Sequence, residues 1–533
     1  MPAPVPAALP VADAAALAGV PSFCGFMERC LHHPETGYYA SGRVQFGFAG
    51  DFWTFPTHFA PLFGIMVAER VRVLLRDMLD AGHLPAEGPL TVLELGAGDG
   101  DLAASMLGWI ASRAADPSWA GIAGRVRVVI GERSAALRTR QSERLKDWIA
   151  AGWAEVREVD ARQIRWEGDF HGVVVANELV DAFAVERLRL RPDGTLARVH
   201  VGALPAGAAA EVEAGQVPPG TLTEDALWAA VAAGEGLAFF ELDLPLSAGW
   251  WDGGRVGPVP PGVQAWEERV RPLLDDLVAA GAAPCAVHVN PAVPDFMDGL
   301  GALIGGGPGR RGGAILIDYG GTTRHFLDPR SRSPHLRVYG PAQVGAQMES
   351  PYTEPGARDL TCDVDFTELA VLAEPFGLVP LFYGPQRAIE TPELRLTAPE
   401  WWPLVEAPRR EEVGQCPFRV AAASDAALRS FRSAPGFMVL VLGPAGTARP
   451  TLKLALDVHD LRTVAPTAPR RVAAAFAHRR VPRGVWRYLI PGCEVHANLS
   501  DQGYEAWLPE VRSALESLGA LVPPGALARS PAP

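Results

Sequence analysis

Short apolar runs alternate with amphipathic stretches between residues 90 and 180. The runs have the length of buried strands and lie at 90–95, 126–131, 156–159 and 173–176. The stretches near 101–111 and 135–150 repeat their apolar residues with the period of a helix. Strands that alternate with helices are typical of a mostly parallel, doubly wound sheet. The predicted fold class is therefore α/β, with a Rossmann-like core.

Further elements are predicted on both sides of this core. Helices are expected at 22–31 and 62–79, and residues 185–201 are expected to form a hairpin around Pro192-Asp193-Gly194. Residues 203–262 are rich in Gly, Ala and Pro, which indicates an insertion. The core is then expected to resume, with elements at 286–290, 293–304, 314–318, 379–383 and 437–442.

Composition and charge limit the classes of partner. The chain has 533 residues, 48% of them hydrophobic and 20% charged, which fits a folded protein of more than one domain. Its net charge is −13 and it has no long basic run, so neither nucleic acid nor a membrane surface is expected as a partner. We expect a cytoplasmic protein without a metal site, since no apolar run approaches ~18 residues and no cysteine pair has metal-binding spacing.

A glycine loop follows the first core strand. The strand ends in Glu94-Leu95 and enters Gly96-x-Gly98-x-Gly100, where the missing side chains would let a ligand approach the backbone. A simple tight turn and a pyrophosphate-binding loop are the alternatives. Asp99 and Asp101 would repel a pyrophosphate but tolerate a cationic sulfonium, which favours S-adenosyl-L-methionine. The candidate cofactor contacts here are Glu94, Gly96, Ala97, Gly98 and Gly100.

Polar residues also follow the next three strands, at the edge where open α/β sheets bind ligands. Glu132, followed by Arg133, is expected to accept hydrogen bonds from ribose hydroxyls, and Asp160, followed by Ala161, from an adenine amino group. The alternative for Glu132 is a solvated strand end. After the fourth strand, Asn177, Glu178 and Asp181 are expected near the methyl donor and its acceptor. The alternative is that Asn177 caps the next helix and that Asp181 is merely exposed.

Several motifs follow one another between residues 33 and 366. They are His33-Pro34-Glu35-Thr36-Gly37-Tyr38-Tyr39, Gly50-Asp51-Phe52-Trp53-Thr54, Leu62-Phe63-Gly64, the glycine loop, Asn177-Glu178 through Ala182, Val289-Asn290-Pro291, Leu316-Ile317-Asp318-Tyr319-Gly320 and Asp359-Leu360-Thr361-Cys362-Asp363-Val364-Asp365-Phe366. Over residues 25–445 the chain thereby resembles the MidA-type methyltransferases, a family that includes an arginine methyltransferase of mitochondrial complex I assembly.

The resemblance implies a class I, Rossmann-like methyltransferase that uses S-adenosyl-L-methionine. It also implies that Gly50, Asp51, Phe52 and Thr54 lie beside the cofactor or substrate. Residues 55–61 depart from the family, because this segment is one residue longer and lacks the usual Glu. A carboxylate missing at the substrate rim would weaken recognition of a guanidinium, so the acceptor stays open.

Two acceptor classes are therefore considered, a protein arginine and a small-molecule oxygen. For arginine, Glu178 and Asp181 would hold the guanidinium; for a hydroxyl, His58 is the candidate base, whereas a carboxylate needs none. A catalytically inactive scaffold that binds the cofactor is the alternative function, and a nicotinamide-dependent oxidoreductase is disfavoured by the loop. A homodimer is left open.

The expected domain organisation has five segments. They are an N-terminal helical, substrate-covering segment (1–88), the first part of the cofactor-binding core (89–202), an insertion or lid (203–282), the second part of the core (283–445) and a C-terminal extension (446–533).

Overall fold

The computed structural model describes residues 9–10, 17, 19–33, 36–39, 44, 56, 62–207, 217–252, 255–307, 309–328, 335–339, 350–389 and 436–447. The helices of this part are α1 (Phe23–His32), α2 (Leu62–Asp80), α3 (Asp101–Ser112), α4 (Ala135–Arg144), α5 (Lys146–Ala150), α6 (Glu224–Ala232), α7 (Pro261–Ala279), α8 (Val293–Ile304), α9 (Thr323–Phe326) and α10 (Phe366–Ala373).

The strands of the same part follow in chain order. They are β1 (Leu9–Pro10), β2 (Leu90–Leu95), β3 (Val126–Glu132), β4 (Ala154–Glu158), β5 (Phe170–Asn177), β6 (Glu186–Leu190), β7 (Leu196–Pro205), β8 (Leu237–Pro245), β9 (Trp250–Asp252), β10 (Arg255–Gly257), β11 (Cys285–Val289), β12 (Arg310–Gly321), β13 (Leu336–Tyr339), β14 (Asp359–Cys362), β15 (Val364–Asp365), β16 (Leu378–Pro385) and β17 (Phe437–Pro444).

A mostly parallel sheet has the strand order β16-β17-β12-β5-β2-β3-β4, with β15 paired to β12. The pairs among β4, β3, β2, β5 and β12 are parallel, and β17 runs antiparallel to both its neighbours. Numbered along the chain, and leaving β15 aside, the order is 3-2-1-4-5-7-6. Successive strands are thus added on opposite sides of β2, which places a switch point between β2 and β5. The predicted Rossmann-like α/β fold is confirmed.

The central strands are apolar along their whole length because both faces of the sheet are covered. Val92, Leu93, Val173 and Val174 are all fully buried. Helices α2 and α3 approach each other closely, since a Cβ atom added at Gly64 would lie 2.3 Å from Cβ of Ser105. A side chain at this position would therefore separate the two helices.

A second sheet has the order β1-β8-β7-β6-β11. Strands β6 and β7 form the predicted hairpin, with Leu190 opposite Leu196. Glu186 and Arg198 form a buried ion pair on this hairpin. Helix α1 begins after Ser22, whose hydroxyl accepts a hydrogen bond from the Gly25 N–H group, as expected for a helix N-cap.

The strand predicted at 286–290 requires a correction, because it does not return to the mostly parallel sheet. It is β11, which pairs antiparallel with β6 at the edge of the second sheet. The reason is visible in its burial: Val287 and Val289 are buried, whereas Cys285, Ala286 and His288 are half-buried. Such alternation suits an edge strand with one covered face rather than a central parallel strand.

Contacts within the chain divide it into two compact units. Unit 1 takes in the described residues of 1–52, 180–294 and 323–363, and unit 2 those of 53–179, 295–322 and 364–533. The second sheet belongs to unit 1 and the mostly parallel sheet to unit 2. Among the described residues, no helix is both long and apolar enough to cross a membrane. Beyond Thr447, the predicted C-terminal extension lies outside the described residues.

Candidate functional site

The glycine loop of unit 2 connects β2 to α3 through a backbone that needs glycine. Gly96, Gly98 and Gly100 have φ angles of 68°, 52° and 82°, in the left-handed region. The Gly100 N–H group donates to the Ala97 carbonyl oxygen at 2.8 Å, which closes the turn. Gly100, at the N-cap position of α3, has no side chain that could cap the helix. A helix N-terminus of this kind can offer backbone N–H groups to a ligand at the loop.

Glu94 is the second-last residue of β2, just before this loop. Its carboxyl group is buried, with an exposure of 3%. Burial, and then the charge of Asp101, raises the pKa of Glu94 to about 8, although the Ala103 N–H group donates to the carboxylate. Its Oε2 atom is buried and has no hydrogen-bond partner. Glu94 therefore offers a free acceptor atom at the carboxyl end of β2, and a cationic ligand would favour its ionised form.

The two acids of the loop have partners that the sequence argument did not foresee. Asp99 lies 2.5 Å from Nη2 of Arg140, and Asp101 forms an ion pair with Arg144. Both arginines belong to α4 and lie four residues apart, on one face of that helix. Because the two carboxylates are neutralised in this way, they discriminate less between anionic and cationic ligands than the sequence suggested. They hold the loop against α4 instead.

Glu132 and Asp160 end the neighbouring strands as predicted, but in different environments. Burial raises the pKa of Glu132, whose Oε1 accepts a hydrogen bond from the Ser134 N–H group at 2.8 Å. Asp160 caps the turn before Ala161 and accepts from the Arg162 N–H group at 3.0 Å. Although burial opposes it, hydrogen bonds from Arg162 and the charge of Arg133 lower the pKa of Asp160. Asp160 is thus an ionised carboxylate already bonded to arginine.

The chain turns sharply after β5. Asn177 donates through Nδ2 to Oε1 of Glu178 at 3.0 Å, while its own Oδ1 atom is buried and has no partner. Glu178 has a φ of 50°, which is strained for a residue with a side chain. Its N–H group donates to the Ile317 carbonyl oxygen at 2.8 Å. Strain of this kind is retained where the surrounding hydrogen bonds enforce it.

Asp181, in unit 1, is buried in an acidic and phenolic environment. Tyr39 donates its hydroxyl to Oδ1 of Asp359 at 2.9 Å. Burial, then the charges of Asp359 and Asp181, raises the pKa of Tyr39. Burial raises the pKa of Tyr339 to about 12; the Arg337 charge opposes this rise, and that of Asp181 adds to it. Asp181 therefore belongs to a locally negative region of unit 1.

The structure thus gathers most of the predicted residues at one edge of one sheet. Eleven of them lie in unit 2, at the carboxyl ends of strands β2 to β5. These residues are Glu94, Gly96, Ala97, Gly98, Gly100, Glu132, Arg133, Asp160, Ala161, Asn177 and Glu178. Asp181 lies in unit 1. The predicted Gly50, Asp51, Phe52, Thr54 and His58 lie outside the described residues. The described part of the chain has no cluster of three or more His, Cys, Asp or Glu side chains suited to a metal ion.

Two kinds of residue at this edge were missed in the sequence. Helix α4 contributes Arg140 and Arg144, and also Gln141, which donates to the Gly98 carbonyl oxygen at 2.8 Å. Their spacing on one helix face was the available signal. Asp318, near the end of β12, accepts a hydrogen bond from the Leu179 N–H group at 3.2 Å. The candidates predicted from the sequence are polar residues at the carboxyl ends of the parallel strands, and Asp318 satisfies the same criterion.

Comparison with known proteins supports the fold and the use of S-adenosyl-L-methionine. A family described as "Putative S-adenosyl-L-methionine-dependent methyltransferase" matches residues 72–383. A "likely methyl transferase" from Burkholderia thailandensis, solved with S-adenosyl-homocysteine bound, is 22% identical; the match covers 81% of this chain and 91% of that one, with a TM-score of 0.52. An uncharacterised protein from the same organism is 20% identical over 84% and 93% of the two chains, with a TM-score of 0.49. A search of curated proteins found no match.

Proposed function

Since the chain belongs to this family of S-adenosyl-L-methionine-dependent methyltransferases, matched over more than half of its length, we propose that it transfers the methyl group to a guanidinium nitrogen of an arginine side chain. The family establishes the donor and the reaction class, and it confirms the MidA-type resemblance. The observation that carries the acceptor is the end of β5, where Glu178 adjoins Asn177, whose Oδ1 atom is buried and has no hydrogen-bond partner. A carboxylate next to a free acceptor atom favours a cationic acceptor that carries N–H groups.

The residues of unit 2 fit the cofactor. S-adenosyl-L-methionine supplies a methyl group activated by a positively charged sulfur and carries an amino-acid tail and an adenosine. The free Oε2 atom of Glu94 suits the ammonium group of the tail, and the side-chain-free backbone at Gly98 allows close approach. We propose that Glu132 accepts hydrogen bonds from the ribose hydroxyls. The adenine role of Asp160 and Ala161, and the roles of Gly50, Asp51 and Thr54, stay predictions.

The side chains after β5 would orient the acceptor and take up its proton. A guanidinium nitrogen that gains a methyl group must lose one proton to keep its single positive charge. We propose that Glu178 binds the guanidinium and accepts that proton. The acceptor role of Asp181, which lies in unit 1, stays a prediction. Asn177 Oδ1, buried and without a partner, would accept a hydrogen bond from the same group. Alignment and exclusion of water supply the rest of the rate enhancement.

The test is transfer of a labelled methyl group from S-adenosyl-L-methionine to a cell lysate separated into protein and small-molecule fractions. The proposal expects label in protein, stable to alkali and recovered as methylarginine after acid hydrolysis. Label released by alkali, or found in small molecules, would instead indicate an oxygen acceptor, for which His58 is the predicted base. The Gly98→Val variant is the background control.

A separate measurement distinguishes an enzyme from an inactive scaffold. Calorimetric titration of the protein with S-adenosyl-homocysteine should show binding at one site. Binding without any transfer to lysate would support the scaffold, and absence of binding at high ligand concentration would contradict the cofactor site itself. The substrate-covering roles expected for residues 1–88 and 203–282 stay predictions.

A further inference from the structure

The carboxylate of Asp318 connects two neighbouring strands of unit 2 at the ligand edge of the sheet. It lies on β12 with an exposure of 3%. Its Oδ2 atom accepts a hydrogen bond from the Leu179 N–H group at 3.2 Å, and its Oδ1 atom accepts from the Tyr319 N–H group at 2.8 Å. One carboxylate therefore holds the end of β12 and the turn that follows β5.

That turn is strained, and its backbone N–H groups donate hydrogen bonds to β12. The parallel pairing of the two strands ends with Ile317 opposite Asn177. Beyond it, the Glu178 N–H group donates to the Ile317 carbonyl oxygen at 2.8 Å, and Leu179 is held by Asp318. Glu178 between these bonds takes its left-handed φ of 50°. Loss of the second bond would let Glu178 relax to an ordinary conformation.

The same turn contacts the glycine loop. A Cβ atom added at Gly96 would lie only 2.7 Å from Cδ1 of Leu179, so the Leu179 side chain lies directly against the loop. The backbone of Leu179 is held by Asp318 and its side chain by the loop. A substitution at Asp318 should therefore alter mainly the position of Glu178. The glycines of the loop and Glu94 should keep their present contacts.

From this arrangement we infer that Asp318 is a positioning residue for methyl transfer, which holds the turn after β5 so that Asn177 Oδ1 and the Glu178 carboxylate meet the acceptor nitrogen. The inference rests on the proposed function, because it needs an acceptor bound by Glu178. Asp318 itself need not contact donor or acceptor. Its carboxylate acts through the backbone of Leu179, and its contribution is to the alignment of the reacting groups.

The experiment compares Asp318→Ala and Asp318→Asn with wild type and with Asp116→Ala. Asp116 is a suitable control, because its carboxylate also accepts from a backbone N–H group, that of Ser118 at 2.8 Å, but in the connection before β3 at the opposite edge of the sheet. Three quantities are measured for each protein: the dissociation constant for S-adenosyl-homocysteine, the rate of label transfer to lysate, and amide hydrogen exchange at residues 177–180.

Asp318→Ala is expected to lower the transfer rate by about 100-fold, the usual effect of a misalignment near 1 Å. Exchange of the Leu179 amide should rise about fivefold or more, the equivalent of one lost hydrogen bond. The dissociation constant should change by less than about threefold, since the loop contacts remain. Asp318→Asn keeps an oxygen that can accept from Leu179, so it should recover much of the rate. Asp116→Ala should alter none of the three.

Two results would overturn the inference: unchanged exchange at Leu179 in Asp318→Ala, or equal losses of transfer rate and of affinity for S-adenosyl-homocysteine. A failure of the proposed function is recognised separately, because wild type itself would then transfer no label to protein. The exchange and affinity measurements still decide, in that case, whether Asp318 holds the turn.

Discussion

The buried carboxyl group of Glu94 makes the stability of the cofactor-free protein depend on pH. The pKa of Glu94 is about 8 in the folded protein, compared with 4.5 for an ordinary glutamate. The folded state therefore keeps its proton at pH values where the unfolded chain has lost it. The resulting stabilisation is complete below pH 4.5 and is lost progressively as the pH rises through about 8. A pKa difference of about 3.5 corresponds to about 5 kcal/mol at most.

The variant Glu94→Gln removes this titration and keeps the shape of the side chain. The free energy of unfolding of each protein is measured in urea, without ligand, between pH 5 and 9. The value for the variant minus the value for wild type should grow as the pH rises. It should gain about 4 kcal/mol between pH 5 and pH 9. The contributions of the other titrating groups are common to both proteins and cancel when the two free energies of unfolding are subtracted. Glu87→Gln, the same substitution at an exposed position, is the matched control.

Binding of the cofactor should reverse the preference of Glu94 for its proton. The ammonium and sulfonium charges of S-adenosyl-L-methionine favour the carboxylate. Calorimetry at pH 7 in buffers of different ionisation enthalpy should therefore detect proton release by wild type, and less of it by Glu94→Gln. If the unfolding free energies of Glu94→Gln and wild type differ by a constant from pH 5 to 9, the raised pKa and the argument built on it are wrong.

Three further substitutions test other parts of the site. Gly98→Val should abolish binding of S-adenosyl-homocysteine in calorimetry, because Gly98 has a φ of 52° and a branched side chain would enter the ligand path; unchanged affinity would contradict the loop assignment. Asp181→Ala should lower the rate of label transfer far more than affinity for the cofactor; parallel losses would remove Asp181 from the acceptor site. Arg144→Met leaves Asp101 without its α4 cation and should lower the free energy of unfolding by about 3 kcal/mol in urea, and a loss below about 0.5 kcal/mol would show that the pair is solvated.

The sequence predicted the core of unit 2 well because its signals are local. Strands β2 and β5 are continuous apolar runs, and the turn at Gly96 follows from residues next to each other in the chain. The place of β11 did not follow, because pairing with β6 joins residues about 100 positions apart. The sequence of a five-residue strand does not by itself show which sheet the strand will join. Burial on one face, which decides the question, is a property of the folded chain.

The charge of the glycine loop shows the same limit in the chemistry of the site. Asp99 and Asp101 are acidic in sequence, but whether they attract a cation depends on what lies beside them. Their partners Arg140 and Arg144 come from α4, some 40 residues later, and no local pattern joins them to the loop. The choice of a cationic cofactor therefore rests on Glu94 and on the family, rather than on these two acids.

Two buried acceptor atoms without partners now mark the two sides of the reaction. Glu94 Oε2 lies at the end of β2, and Asn177 Oδ1 lies at the end of β5, the adjacent strand. Such atoms are uncommon in folded proteins, because burial without a hydrogen bond costs free energy. The Leu179–Gly96 contact ties the turn after Asn177 to the loop after Glu94. A donor bound at Glu94 and an acceptor bound at Asn177 would thus each satisfy one atom, and Asp318, through Leu179, would keep the two sides in register.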